Sequence, residues 1–333
     1  MIQEALKTVV ERVDLSREQA YRLMHGIMSG EATPAQIAAF LVACKMKGET
    51  SEEVAGFAAA MRDKATPVQT RHRNAIDMCG TGGDGAGTFN ISTVASFVVA
   101  AAGVPVAKHG NRSVSSRCGS ADLLEALGVN IDQEAEQTSR CLNEIGFGFL
   151  YAPRLHKAMK YAVAPRREIR LRTVFNMLGP LTNPARVTRQ LLGVYDFAIA
   201  PLMAEVLHEL GSEHVLIVHS EDGLDEVSIH ATTRAIELRD GEIRERTLSP
   251  KDFGLNLKPR DGILGGSPEE NAETAKRVLN GEPGIARDFV VANAACGLVV
   301  GGATDDFGEA ARMAMHALDS GAALAKLRAL KEM

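Results

Sequence analysis

Residues 79–93 read Cys-Gly-Thr-Gly-Gly-Asp-Gly-Ala-Gly-Thr-Phe-Asn-Ile-Ser-Thr, with five glycines in eight positions. The run sits between a short apolar stretch, Ala75–Cys79, and a helix-like one, Val94–Ala102. A strand, a glycine turn and a helix start together make an anion site. Glycine lets backbone N–H groups approach phosphate oxygens closely, and the helix dipole favours negative charge there. Thr88, Asn90, Ser92 and Thr93 add short hydrogen-bonding side chains at the mouth. The spacing lacks the Gly-Lys-Ser/Thr ending of a P-loop, and no dinucleotide logic follows from Gly80–Gly85 or Gly82–Gly87. A glycine-rich turn also serves as a plain tight βα loop, so its meaning depends on its company.

The company is a second loop. A short strand, 104–107, leads into Lys108-His-Gly-Asn-Arg112 and Ser113-Val-Ser-Ser-Arg-Cys-Gly-Ser-Ala-Asp122, ahead of a helix at 123–127. Lys108 offers a point charge, Arg112 a planar fork, and Ser113, Ser115, Ser116 and Ser120 neutral donors. A solvated basic loop is the plainer reading of this stretch alone. Two loops that each end a strand and open a helix share the carboxyl edge of one parallel sheet, where open α/β sheets bind ligands. A third cluster, Asp222-Gly-Leu-Asp-Glu226, follows the apolar strand 214–219. Adjacent Asp225 and Glu226 suit a hard divalent cation that takes carboxylates plus substrate phosphates, although Asp-Gly is also an ordinary turn. The fourth is Arg166-Arg-Glu-Ile-Arg-Leu-Arg172 followed by Thr173–Pro184, whose Gly-Pro and Asn-Pro steps predict a constrained turn.

The elements that must hold these groups change character along the chain. The first 70 residues read as helices, with starts marked at Ser16–Gln19, Thr33–Gln36 and Thr50–Glu53 and with Ile37, Phe40, Leu41 and Cys44 at helical spacing. From about residue 72, short β runs alternate with alanine-rich helices: 75–79, 104–107, 129–131, 145–151, 190–195 and 214–219. Such alternation predicts a parallel sheet with crossover helices. Further β runs fall at 226–230, 234–238 and 243–247, Ser267–Glu270 starts a helix, and helices at 286–301 and 307–328 follow.

The 333 residues carry a net charge of −5, which speaks against a general nucleic-acid binder. Five cysteines, none spaced C-x-x-C, indicate neither a disulfide framework nor a zinc site and favour a reducing cytoplasm. Cys79 and Cys118 read as packing residues rather than nucleophiles, and no apolar run is long enough for a membrane span.

In order, Cys-Gly-Thr-Gly-Gly-Asp, Asn-x-Ser-Thr, Lys-His-Gly-Asn-Arg, Ser-Ser-x-x-Gly-Ser-Ala-Asp, Arg-Thr-x-Phe-Asn-x-Leu-Gly-Pro-Leu and Gly-Leu-Asp-Glu strongly resemble the anthranilate phosphoribosyltransferase family of tryptophan biosynthesis, over essentially the whole chain. The resemblance implies an α/β fold with a small all-helical domain (1–70, with 165–185 contributing) joined to a large α/β domain (71–333) around a mostly parallel sheet. It implies a cleft at the hinge and a homodimer. Gly80, Gly83, Asp84, Thr88, Asn90, Ile91, Ser92 and Thr93, then Lys108, His109, Gly110, Asn111, Arg112, Ser113, Val114, Ser115, Ser116 and Ser120, would hold phosphoribosyl pyrophosphate. Ser92, Asp225 and Glu226 would ligate two Mg²⁺ ions. Gly80, Asn111 and Arg166 would meet anthranilate, with Arg166 on its carboxylate. No catalytic residue stands out, His109 being one possible base. Lys157, where His-Pro is usual at 156–157, and Arg170, where glycine is common, depart from the family pattern on the acceptor side. Two rivals share parts of this reading. A pyrimidine nucleoside phosphorylase has no use for the Asp225–Glu226 pair. A non-catalytic nucleic-acid-binding relative requires a basic groove and loss of the arginine at 166.

Overall fold

The computed structural model describes residues 2–113, 117–259 and 263–333. Four helices open the chain: α1 (Ile2–Val10), α2 (Arg17–Met28), α3 (Pro34–Lys47) and α4 (Ser51–Lys64). Capping boxes start three of them. The Ser16, Thr33 and Thr50 side chains accept from the third backbone N–H, while Gln19, Gln36 and Glu53 reach back; each such cap contributes about 1 kcal/mol. Ile37, Phe40, Leu41 and Cys44 are buried, as their spacing predicts.

Strands and helices then alternate: β1 (Ile76–Gly80), α5 (Ile91–Ala101), β2 (Val106–Gly110), α6 (Ser120–Ala126), α7 (Ala135–Ile145) and β3 (Phe147–Tyr151). Next come α8 (Ala152–Leu155), α9 (Lys160–Ile169), α10 (Phe175–Leu181), β4 (Arg189–Gly193), α11 (Ala200–Glu209) and β5 (His214–Ser220). A hairpin of β6 (Thr233–Arg239) and β7 (Glu242–Leu248) precedes α12 (Pro268–Leu279), α13 (Ile285–Val300), α14 (Phe307–Asp319) and α15 (Ala322–Glu332). The sheet runs β3-β2-β1-β4-β5-β6-β7, parallel through β5 and antiparallel beyond it. From β1 the chain builds outward first through β2 and later through β4, so the order reverses at the β1–β4 pair. There Gly80 lies opposite Gly193 at the carboxyl edge.

Both faces are covered at β5, which explains its nearly continuous apolar run, whereas the edge strand β7 is exposed as far as Leu248. Leu216 and Val218 of β5 face a core made with α5 and α12–α15. Val215 and Ile217 face the opposite core, which contains α11 and residues of α1–α4, α9 and α10. The stretch after β3 therefore leaves the sheet, packs among the N-terminal helices and returns at β4.

Several boundaries differ from the sequence reading. Residues 129–131 form no strand; Val129 N–H closes α6 on the Leu124 carbonyl at 2.9 Å, and Val129 and Ile131 are buried without a ladder partner. Residues 226–230 form none either, because Asn293 of α13 takes both backbone groups of Val227, at 2.9 Å each. The strand expected at 104–107 lies at Val106–Gly110, beyond Pro105, which has no N–H to donate. Lys108 and His109 are consequently buried strand residues rather than loop residues. The helix expected over 307–328 is two, broken where Gly321 takes φ +75°. Gly179-Pro180, expected in a constrained turn, lies in the last turn of α10, with the Pro180 carbonyl accepting from Gln190 Nε2 at 2.8 Å.

Candidate active site

The reversal point brings the sequence clusters together. Gly82, Gly83, Gly85 and Gly87 all take left-handed φ values, between +62° and +81°, which only glycine adopts without strain. The loop ends at α5, whose first turn is already engaged: Ser92 N–H donates to Glu226 Oε1 at 3.1 Å. Behind it, Lys108 Nζ donates to the Met78 carbonyl and, at 3.3 Å, to Ser92 Oγ. Asp225 lies against the end of β1 and β4. A Cβ on Gly80 would stand 3.1 Å from Asp225 Oδ2, and one on Gly193 only 1.7 Å from the Asp225 carbonyl oxygen. Gly193 is thus required for this crossing, although no sequence motif marks it.

The electrostatics is that of acids crowded away from water. Burial pushes Glu226 up to about 7 against the opposing pull of Lys108 and Ser92. Asp225 is raised well above the usual carboxylate range, first by burial and then by the negative charge of Asp84, to which it hydrogen-bonds. Burial lowers the Lys108 ammonium. Among the described residues no three His, Cys, Asp or Glu side chains form a complete metal nest. Asp225, Glu226 and the Ser92 hydroxyl, with Asp84 beside Asp225, offer only hard oxygens. That chemistry fits Mg²⁺, which completes its shell with substrate phosphates and water.

A second cluster lies between β2 and the stretch that returns from α10. Asp77 is fully buried and accepts His109 N–H at 3.0 Å and Asn183 Nδ2 at 2.8 Å. His109 Nδ1 lies 3.1 Å from the Gly179 carbonyl, and the His109 ring is 5.1 Å from the ring of His156. Burial holds His109 down at about 3 and His156 at about 4, so both are neutral near pH 7. His109 Nε2, His156 Nε2 and Thr173 Oγ1 are buried without a hydrogen-bond partner in the ligand-free protein. Burying such groups costs free energy unless something pairs with them. Arg166 is half-buried, with its guanidinium 4.9 Å above the Phe175 ring.

Comparison with known proteins decides the family. Residues 3–65 match the model of the glycosyl transferase family, helical bundle domain, and residues 72–324 that of the glycosyl transferase family, a/b domain. The chain is 53% identical to anthranilate phosphoribosyltransferase of Pelotomaculum thermopropionicum, covering 100% of this chain and 96% of that one. It is 52% identical to the enzyme of that name from Moorella thermoacetica, over 99% and 97% of the two chains. This chain belongs to the anthranilate phosphoribosyltransferase family. The structure of the family member from Thermus thermophilus superimposes with a TM-score of 0.94 at 42% identity, over 98% of each chain. The Saccharomyces cerevisiae enzyme in complex with PRPP and Mg superimposes at 0.91 with 27% identity, over 99% and 97%. The nucleoside phosphorylase and nucleic-acid-binding readings are not favoured.

Against that family frame, Gly80, Gly83, Asp84, Ser92, Lys108, Asp225 and Glu226 come together at the switch point. Thr88 pairs with Leu264 in an isolated bridge, and Asn90 Nδ2 donates to the Cys118 carbonyl at 3.1 Å. Ile91 and Thr93 are buried, so Ile91 has only backbone to offer. The Arg112 fork is turned onto α6, with Nη1 2.9 Å from Asp122 and 2.8 Å from Glu125. Ser113 N–H donates to Asp122 Oδ2 at 3.0 Å, and Ser120 Oγ donates to the Asn111 carbonyl at 3.2 Å. Gly110 is crowded by Ser120 Oγ and the Phe149 ring, leaving no room for a side chain. Val114, Ser115 and Ser116 lie outside the described residues. The sequence reading missed Asp77, Asn183 and Gly193, which are small or buried connectors whose one available signal was position beside a motif.

Proposed function

We propose that this protein transfers the 5-phosphoribosyl group of phosphoribosyl pyrophosphate to the amine of anthranilate, releasing pyrophosphate. The observation that carries the reading is the Glu226–Ser92 contact at 3.1 Å, which docks a two-carboxylate segment onto the helix start that closes a glycine loop. An anion site and a carboxylate pair are thereby joined in one pocket, as a metal-bridged pyrophosphate requires.

The glycine loop and the start of α5 supply backbone donors to the pyrophosphate. Lys108 adds positive charge behind Ser92, and Thr88, Asn90 and residues 111–113 and 117–120 surround the ribose phosphate. Ser92, Asp225 and Glu226 would hold Mg²⁺, two ions per subunit in this reading, and the bound metal would offset charge that grows on the departing pyrophosphate. As the C1–O bond breaks, positive charge develops on the sugar, the anthranilate nitrogen forms the new C1–N bond, and that nitrogen then gives up one proton to solvent. An aryl amine is neutral at pH 7 and needs orientation more than deprotonation. Arg166 pairs with the anthranilate carboxylate, and Asn111 and Gly80 line the same pocket. The neutral His109 and His156 rings present nitrogens to the acceptor side. The small helical domain, 1–70 with 165–185, and the large domain, 71–333, flank this cleft; the protein works as a cytoplasmic homodimer.

Loss of anthranilate fluorescence on addition of phosphoribosyl pyrophosphate, with and without Mg²⁺, tests the reading. A metal-dependent decline is expected, and a constant signal with both substrates and Mg²⁺ present overturns it.

A further inference from the structure

Arg172 follows α9 by three residues and belongs, through α9 and α10, to the part of the chain packed among the N-terminal helices. Its side chain crosses to the sheet edge. Nη2 donates to the Gly83 carbonyl in the glycine loop, and the guanidinium lies 4.1 Å from the centre of the Tyr195 ring, just past β4. Tyr195 N–H in turn donates to Thr81 Oγ1 at 3.0 Å, and Thr81 N–H to the Gly193 carbonyl at 2.9 Å. One exposed arginine thus touches the loop and the strand end on both sides of the switch point. On its own side, Thr173 N–H is held by Asn176 Oδ1 at 3.0 Å, and Arg166 lies over Phe175 of the same short segment.

The loop it holds has little preference of its own. Four of its glycines sit at left-handed φ, and such a chain has many alternatives of similar energy. An outside donor on one loop carbonyl selects among them. A guanidinium suits the task because it stacks on an aromatic face while its fork donates sideways, which an ammonium cannot do at once.

We propose that Arg172 is a positioning residue that couples the two substrate sites: docking of segment 166–176 by an acceptor carboxylate on Arg166 holds the glycine loop in its pyrophosphate-binding form. The proposal rests on the reading of Arg166 as the acceptor's partner. By linkage the effect is reciprocal, with each ligand tightening the other.

Mg-pyrophosphate and anthranilate do not react with each other, so calorimetry can measure each binding with the other absent or saturating. In the wild type, mutual tightening of about fivefold or more is expected, within the ordinary range of such couplings. Arg172→Ala and Tyr195→Leu should each bring the factor close to one, and Arg172→Lys should recover it only in part. Thermal melting confirms that the variants are folded. Coupling that survives both Arg172→Ala and Tyr195→Leu overturns the proposal. So does weaker pyrophosphate binding with undiminished coupling, which marks Arg172 as a direct phosphate contact. Wild-type turnover without Arg172-dependent coupling overturns the coupling and leaves the transferase reading standing. Absence of turnover overturns the reading of the acceptor and the coupling with it.

Discussion

The two residue clusters proposed to bind donor and acceptor are built differently. On the donor side, Ser92, Lys108, Asp84, Asp225 and Glu226 already pair with one another or with the backbone. On the acceptor side, two imidazole nitrogens and a threonine hydroxyl are buried with no partner, and Arg166 rests on an aromatic face. A site for a highly charged group is organised in advance, and without a cation its crowded carboxyls are held together by retaining protons, as the raised Asp225 and Glu226 show. A site for a small aromatic acid can leave a few polar atoms waiting, at a modest cost in stability. Substitutions on the donor side should therefore act through several coupled groups, and those on the acceptor side one residue at a time.

The largest effect is expected from removing both carboxylates. Asp225→Asn with Glu226→Gln should lower kcat/KM by about 10²-fold or more, the scale of losing a principal electrostatic element, with circular dichroism unchanged. Near-normal turnover at limiting Mg²⁺ would erase the distinction between the two sides. Gly83→Ala comes next. Its φ of +81° strains any side chain, and its Cβ would stand 3.2 Å from Arg172 Nη2, so donor affinity measured by calorimetry should fall by roughly tenfold. The substitution acts on the loop's backbone and its outside tether, which differs from simple crowding of a phosphate.

Arg166→Ala should raise the KM for anthranilate about tenfold or more, on the order of 1.4 kcal/mol, leaving donor affinity nearly unchanged. Steady-state kinetics beside Arg170→Ala decides whether the acceptor function belongs to Arg166 alone. A smaller, pH-dependent effect concerns Glu226. Its carboxyl is raised to about 7, so the stability it contributes is complete below its unfolded value and is lost as pH rises through 7. Metal-free protein should melt progressively lower between pH 5 and 8, and Glu226→Gln should flatten that slope. Mg²⁺ competes with the proton, so its affinity with pyrophosphate should rise over the same interval. The smallest effect is at Arg170, which caps α9 at φ +49° and ψ +30°. Arg170→Gly should raise stability by about 1 kcal/mol by relieving the left-handed backbone, with anthranilate KM unchanged. That geometry gives a backbone reason for glycine at this position and separates it from acceptor recognition.

The sequence by itself determined what is local. The capping boxes at Ser16, Thr33, Thr50 and Ser267, the alternation of strands and helices and the glycine loop all depend on neighbouring residues, and each forms as its spacing predicts. Where local preference competes with a distant partner, the reading failed: Asn293 takes the backbone of Val227, and Val129 and Ile131 are buried without a neighbouring strand to pair with. In the candidate site, the motif residues in 80–93 and 225–226 that the structure brings together were legible because each motif is contiguous backbone. Arg112 was read as a phosphate fork from its type, yet Asp122 and Glu125 on the adjacent helix compete for it. Asp77, Gly193 and Tyr195 carry no signature. Their roles exist only once β1, β4 and the returning segment at Asn183 lie side by side, and that juxtaposition is set by packing on both faces of the sheet.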